Sequence, residues 1–217
     1  SIARSVALGG DYRKIRLTLQ EYFEKLGTDR IRWGKPFSAL LGAYLVQSEM
    51  GIPAIGGKDS MSGSFKEFNV PPTLVAFAVN SIDVKQVISP DFKKEGHRVI
   101  LVKPERNSYD LPVFSDLKNK YKEISDLNIK GKIRAAMAVS EGGIAAVITK
   151  MSFGNKIGFK FNKNIDIEEL FLPEYGSIIM EISDDANLTH FNDFVIIGKT
   201  IEEQVIILPD DKDNTND

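Results

Sequence analysis

The 217-residue chain contains no cysteine. Disulfide frameworks, thiolate zinc sites and cysteine nucleophiles are thereby excluded. The absence is compatible with a reducing cytosol. An excess of basic charge is also missing: Lys and Arg number 28 against 30 Asp and Glu, a formal net charge of -2. With no global basic field, a sequence-independent nucleic-acid binder is not expected. No apolar run approaches the roughly 18 to 20 residues that span a bilayer. The first residues, SIARSVALGGDYRK, lack the basic, apolar and small-residue order of a signal peptide. They also lack an initiator methionine, so a fragment of a longer protein is expected. Only two histidines occur, His97 and His190, far apart and in no metal-binding spacing. Each is read as a surface or hairpin residue. No Ser/His/Asp set can be assembled, and the sequence names no catalytic base.

What is present is a chain 42% hydrophobic, enough for one large domain or two small ones. Asp11 is placed to cap a helix to about Leu26, with Ile15, Leu19, Tyr22, Phe23 and Leu26 at helical spacing. A second helix is predicted from near Pro36, with Phe37, Leu40, Leu41, Tyr44 and Leu45 as its apolar face and Gly51 at its end. IPAI reads as a strand opening into a loop, and PPTLVAFAVNSI as a strand buried on both faces. A polar stretch at 89–98 suggests a boundary near 90. Beyond it, VILVK reads as a strand and SYDLPVFSDLKNKYKEISDL as a loop and helix. KGKIRAAMAVSEGGIAAVITKMSFG reads as two helical stretches broken at SEGG. IGFKF and SIIMEI read as strands, DIEELF as a short helix, and FVIIGKTI with QVIIL as a closing hairpin. The acidic tail PDDKDNTND reads as disordered. Strands and helices interleave in both halves, which predicts an α/β (α+β) chain of two domains.

The segment GGKDSMSGSF is the first candidate site. Gly56 and Gly57 let a backbone approach a ligand and can expose consecutive amides to an anion. Lys58 supplies a cation, Asp59 a group for a metal or a ribose hydroxyl, and Ser60 and Ser62 donors for phosphate. The spacing is not that of a Walker A loop. The competing reading is a polar connection between strands. The second candidate is SEGGIAAVITKM, where Ser140 is placed to cap a helix whose first amides Gly142 and Gly143 expose to phosphate or carboxylate. Its competing reading is a helix corner with a serine cap. RIRWGKPF gathers Arg30, Arg32 and Lys35, either a small anion site or a solvated loop.

GIPAIGGKDSMSGSF followed by VPPTLVAFAVNSID resembles phosphoribosylformylglycinamidine synthase, the large multidomain form. LTLQEYFEKLG, RWGKPFSALLGAYLVQ and SEGGIAAVITKMSFGNKIGF match further segments of that family, in order, over nearly the whole chain. The resemblance implies a cytoplasmic, ATP- and glutamine-dependent carbon–nitrogen ligase of purine biosynthesis. In that family ATP phosphorylates the amide oxygen of formylglycinamide ribonucleotide, and ammonia from a glutaminase domain displaces the phosphate, with magnesium offsetting phosphate charge. It implies a fragment of the aminoimidazole-ribonucleotide-synthetase-like fold covering the second synthetase half. Residues 1–90 would finish an N-terminal ATP- and substrate-binding domain, 91–208 would form the C-terminal domain, and 209–217 the tail. The first synthetase half, the glutaminase domain, the catalytic histidine and most magnesium ligands would lie outside it, so the fragment alone is expected to be inactive. Gly57 and Ser60 match family positions beside ATP and substrate. Lys58 replaces an asparagine beside magnesium, which favours a direct phosphate contact. Ser140 matches a serine facing an auxiliary nucleotide, but the family's metal-binding aspartate falls on Ala138. The alternatives are another ATP-dependent synthetase or kinase of the superfamily, of the thiamine-phosphate or selenophosphate type, and a non-catalytic interaction module. A sheet edge left open where the first part of the domain is lacking makes a homo-oligomer an expected partner state.

Overall fold

A computed structural model describes residues 1–163, 165–189, 191 and 193–209. His190 and positions 210–217 of the tail lie outside the described residues. Two compact units are present: Ser1–Ser5 with Asp11–Ser81, and Val6–Gly10 with Ile82–Asp217. The first helix, α1 (Ile2–Ala7), contributes residues to both.

The rest of the first unit is built from β1 (Arg16–Tyr22), α2 (Arg30–Met50), β2 (Ala54–Ser60), the short β3 (Ser64–Phe65) and β4 (Phe68–Asn69), and β5 (Thr73–Val79). Its sheet has the order β2-β1-β5, with β1 parallel to β2 and antiparallel to β5. The helix predicted from Asp11 to Leu26 does not form. Asp11 caps only a 3-10 turn, Tyr12–Lys14, accepting the Arg13 amide at 3.0 Å. The following R-L-T-L-Q-E-Y then alternates as a strand that buries Leu17 and is hydrogen-bonded along both edges. Helical spacing is a weak preference, and two ladders override it.

α2 starts at Arg30, a full turn and more before Pro36, because Asp29 caps it by accepting the Ile31 amide at 2.8 Å. Pro36 therefore lies inside the helix. Gly51, at φ +67°, ends it as expected. The apolar face predicted for α2 is not buried: Phe37 is 60% exposed, Leu40 54% and Tyr44 66%, while Pro36, Ala43 and Met50 are buried. β5 departs from expectation in the same way, with Phe77 and Val79 exposed. A three-stranded sheet and one long helix do not supply enough surface to cover both.

The second unit holds β6 (Arg98–Val102), α3 (Phe114–Ile129), β7 (Ile133–Ala138), α4 (Gly143–Phe153), β8 (Gly158–Phe161), β9 (Ile178–Ile182), β10 (Val195–Ile201) and β11 (Ile206–Ile207). The sheet order is β11-β8-β10-β6-β9-β7. Ile144, Val147, Ile148 and Met151 of α4 pack with Val99, Leu101, Ala135, Phe159, Ile179 and Ile197 from the strands. This is the face read from the α4 periodicity. β9, expected as a strand, is buried at every position, Glu181 included.

Two expectations fail here. IRAAMA is β7, not a helix: it pairs antiparallel with β9, and its small Ala135 and Ala136 side chains are buried. β10 and β11 do not form a hairpin. β10 pairs antiparallel with β8, and β11 pairs parallel with the other edge of β8. Gly158 permits the crossing, since a Cβ there would stand 1.9 Å from the Glu203 carbonyl oxygen and 2.4 Å from that of Val205.

Candidate functional site

The glycine-lysine-aspartate-serine segment is not a loop. Gly56, Gly57, Lys58, Asp59 and Ser60 are part of β2, an edge strand, and only Ser62 follows in the connection to β3. Successive strand amides point to opposite edges, so they cannot converge on one anion as amides of a nest do. The segment instead presents side chains to two faces. Gly57 and Asp59 pair in register with Leu19 and Glu21, while Lys58 and Ser60 pair with Gln20 and Tyr22.

A groove of about 460 Å³ runs between these strands and α2, lined by Leu19, Glu21, Gly57, Lys58 and Asp59 from the sheet side. Trp33, Pro36, Phe37 and Leu40 line it from the helix. Burial, and then the neighbouring Asp59 charge, raise the Glu21 carboxyl above the ordinary glutamate range. Lys58 has its ammonium 5.1 Å from the Tyr22 ring centroid and 3.5 Å from the Asp59 carbonyl oxygen. The groove thus joins an apolar wall, two adjacent carboxyl groups and one exposed ammonium. Ser60 and Ser62 hold the turn through their carbonyls, which accept from Phe23 at 2.8 Å and Ser64 at 2.8 Å.

Glu21 escaped the sequence reading as a site residue because β1 was taken for a helix, and Phe37 because it was assigned to a buried face of α2. Alternation in R-L-T-L-Q-E-Y was the available signal. Among the described residues no group of three or more His, Asp or Glu is placed to hold a metal ion, so these residues do not make a complete magnesium site. Of the basic cluster before α2, Lys35 is hydrogen-bonded to the buried Glu24, and Arg32 lies 3.5 Å from Glu24 and from Asp29. These two cations are matched by carboxylates.

Ser140, Gly142 and Gly143 belong to the second unit. Ser140 does not cap α4 through its side chain. Gly142, at φ +82°, is the capping residue, and the Ser140 carbonyl accepts the Gly143 amide at 2.9 Å. A Cβ at Gly143 would lie 2.4 Å from the Leu170 carbonyl oxygen and 2.8 Å from that of Leu172. Two carbonyls, one in the 3-10 turn Glu168–Phe171 and one from the residue that follows it, therefore crowd the start of α4. This is poor lining for an anion, since they present partial negative charge.

No family model matches the chain. It is 32% identical over 143 residues to the phosphoribosylformylglycinamidine synthase subunit PurL of Picrophilus torridus, covering 58% of this chain and 19% of that protein. PurL of Thermoplasma volcanium is 26% identical over 217 aligned residues, covering 82% of this chain and 28% of its own length. The chain is thus similar to part of the PurL subunits. It spans 19% to 28% of the length of the curated PurL proteins it matches. T. maritima PurL complexed with ATP superposes with a TM-score of 0.68 at 12% identity, over 96% of this chain and 37% of that one. Thiamine monophosphate kinase from Aquifex aeolicus superposes at 0.66 and 12% identity, over 95% of this chain and 76% of the kinase. The aminoimidazole-ribonucleotide-synthetase-like fold expected from the sequence is the fold observed.

Proposed function

We propose that the chain is part of a phosphoribosylformylglycinamidine synthase, a cytoplasmic ligase that converts formylglycinamide ribonucleotide to its amidine with ATP, magnesium and glutamine-derived ammonia. The observation that carries this reading is the sequence match to PurL, joined to a fold shared with T. maritima PurL, which has been solved with ATP and with FGAR. Residues 1–90 would complete an N-terminal domain that contributes to ATP and substrate binding, and 91–208 would be the C-terminal domain. In this role Lys58 and Ser60 contact phosphate from the exposed face of β2, and Gly57 lets β2 lie close to β1. Charge on the transferring phosphoryl group would be offset by Lys58 together with magnesium held mainly by residues outside this chain. The first synthetase half and the glutaminase domain are the implied partners, and the exposed α2 face supports a partner on that side of the first unit.

The test is thermal-shift and calorimetric titration of the chain with formylglycinamide ribonucleotide, ATP–magnesium and inorganic phosphate, beside a Lys58→Ala, Ser60→Ala variant. A rise in melting temperature that the variant loses supports the site, because ligand bound only to the native state stabilises it by mass action. An unchanged response in the variant overturns the assignment of these residues. With ATP and ammonium, the chain alone is expected to form no amidine. Turnover by the chain alone would falsify the placement of catalytic groups outside it.

A further inference from the structure

The second unit carries a buried ionisable pair that the synthetase reading does not use. Glu181 lies in mid-β9, fully buried, opposite Val99 of β6 and Ala135 of β7. Its Oε2 accepts the Lys93 amide at 2.7 Å, and its Oε1 accepts the Lys94 amide at 3.2 Å. His97, 6% exposed, places Nδ1 at 2.6 Å from the same Oε1. Both carboxyl oxygens already act as acceptors, so Nδ1 is the donor and Nε2 is the nitrogen left open. The backbone that carries the ring is tied down as well. Gly96 donates to the Thr200 carbonyl at 2.9 Å, Thr200 donates its amide to the His97 carbonyl at 3.0 Å, and its hydroxyl to that of Lys94 at 2.7 Å.

His97 lines a groove of about 470 Å³ with Lys93, Lys94, Arg134, Ser183, Asp184 and Asp185. Lys93 spends its ammonium on the Ser89 hydroxyl and the Asp91 carbonyl. Asp185 is matched by Lys132 at 2.6 Å and by the Ser183 hydroxyl at 2.8 Å. Arg134 has no ion-pair partner among the described residues and stands exposed. Asp184 sits between the remaining donors, 3.7 Å from His97 Nε2 and 3.6 Å from Lys94 Nζ. These separations are too long for hydrogen bonds, yet they place an oxygen anion between two donors.

We propose that this groove binds phosphate, with His97 Nε2, Lys94 and Arg134 as its contacts and Asp184 as the resident carboxylate that the ligand displaces. Phosphate suits Nε2 in either state: a neutral ring accepts a P–OH proton, and an imidazolium donates to a P–O oxygen. The anchoring is built from the buried side, by Glu181 and Thr200, and the ligand side is left to exposed cations. The inference does not depend on the synthetase reading.

The chain has two histidines, so ring-proton NMR with a His190→Gln variant for assignment reads the site directly. Inorganic phosphate is titrated at fixed pH and ionic strength, with acetate and adenosine monophosphate as parallel arms. A saturable shift of the His97 signal with phosphate is expected. Arg134→Gln should weaken it about tenfold, the size of one charge-assisted hydrogen bond. Asp184→Asn should tighten it by removing the competing carboxylate. His97→Asn, which keeps a donor for Glu181 and deletes Nε2, should lose calorimetric binding while keeping the fold. Tighter binding of the monophosphate than of free phosphate would identify a nucleotide as the source, and the reverse would identify the free ion. No saturable shift with phosphate, or an equal shift with acetate, overturns the proposal, as does an affinity unmoved by both Arg134→Gln and Asp184→Asn.

Discussion

A Cβ built on Gly57 would stand 2.5 Å from the carbonyl oxygen of Leu19, its register partner on β1. The clash is with backbone, so no side chain can rotate to relieve it. Gly57→Ala is therefore expected to destabilise the first unit by about 1–3 kcal/mol, as overpacking does. Gly56 is the matched control, because its nearest neighbour would be the Thr18 hydroxyl at 4.0 Å. Gly56→Ala should fall within about 0.5–1 kcal/mol of the parent. Urea unfolding of the two variants measures the difference. Equal stabilities would mean that Gly57 is not set by the approach of β1.

The contrast between these neighbouring glycines shows how far the sequence could be read. GGKDS was legible as a special backbone segment, but what Gly57 lies close to is the backbone of β1 and not a ligand. Its placement within a strand was not legible, because glycine, lysine and serine also favour turns. β9 and α4 were found because a short, mostly apolar run and an i, i+3, i+4 stripe each suit one structure well. β1 was missed because Ile15, Leu19, Tyr22, Phe23 and Leu26 fit helical spacing while Leu17 and Leu19 fit alternation. Only pairing with β2 and β5, which is non-local, decides between them. The β10–β8–β11 order was hidden for the same reason: adjacency in sequence suggests a hairpin, and the choice is made at Gly158.

The apolar face of α2 bears on association. Phe37, Leu40, Leu41 and Tyr44 are large, exposed and contiguous along the helix. A patch of this kind is characteristic of a surface that meets a partner. Phe37→Lys with Leu41→Glu should leave folding stability within about 0.5 kcal/mol per site, as for exposed positions in general. The same pair should lower any concentration-dependent self-association seen by sedimentation velocity. A large loss of stability would show that the face is packed within the chain itself.

Glu181 is expected to be among the costliest positions to change. Glu181→Ala strands the His97 Nδ1 donor and the Lys93 and Lys94 amides, which converge on this buried carboxylate from the segment before β6. Unsatisfied buried donors cost about 1–3 kcal/mol each, and loss of a buried charged partner about 3–5 kcal/mol. The unfolding midpoint in urea should fall accordingly, with Glu181→Gln intermediate because one amide oxygen still accepts. Protection of the Lys93 and Lys94 amides from hydrogen exchange should fall with it. A neutral Glu181→Ala would mean that water replaces the carboxylate, and that His97 is not held by this contact.

Asp185 gives a pH dependence with a defined sign. Hydrogen bonds from Lys132 and then from Ser183 draw its carboxyl from 3.8 to about 2. The folded state thus binds this proton more weakly than the unfolded chain does. The resulting contribution to stability is fully present above pH 3.8 and is lost as the pH falls toward 2. Between pH 5 and 8 the group is expected to add no slope. Because the Asp185 side chain is 70% exposed, solvent and salt screen the pair, and its share of total stability is expected to be small. Lys132→Met should move the carboxyl-carbon NMR midpoint of Asp185 upward and flatten the acid limb of unfolding. A midpoint that stays near 2 in Lys132→Met would assign the shift to the Ser183 hydroxyl instead, and Ser183→Ala would then be the variant that raises it.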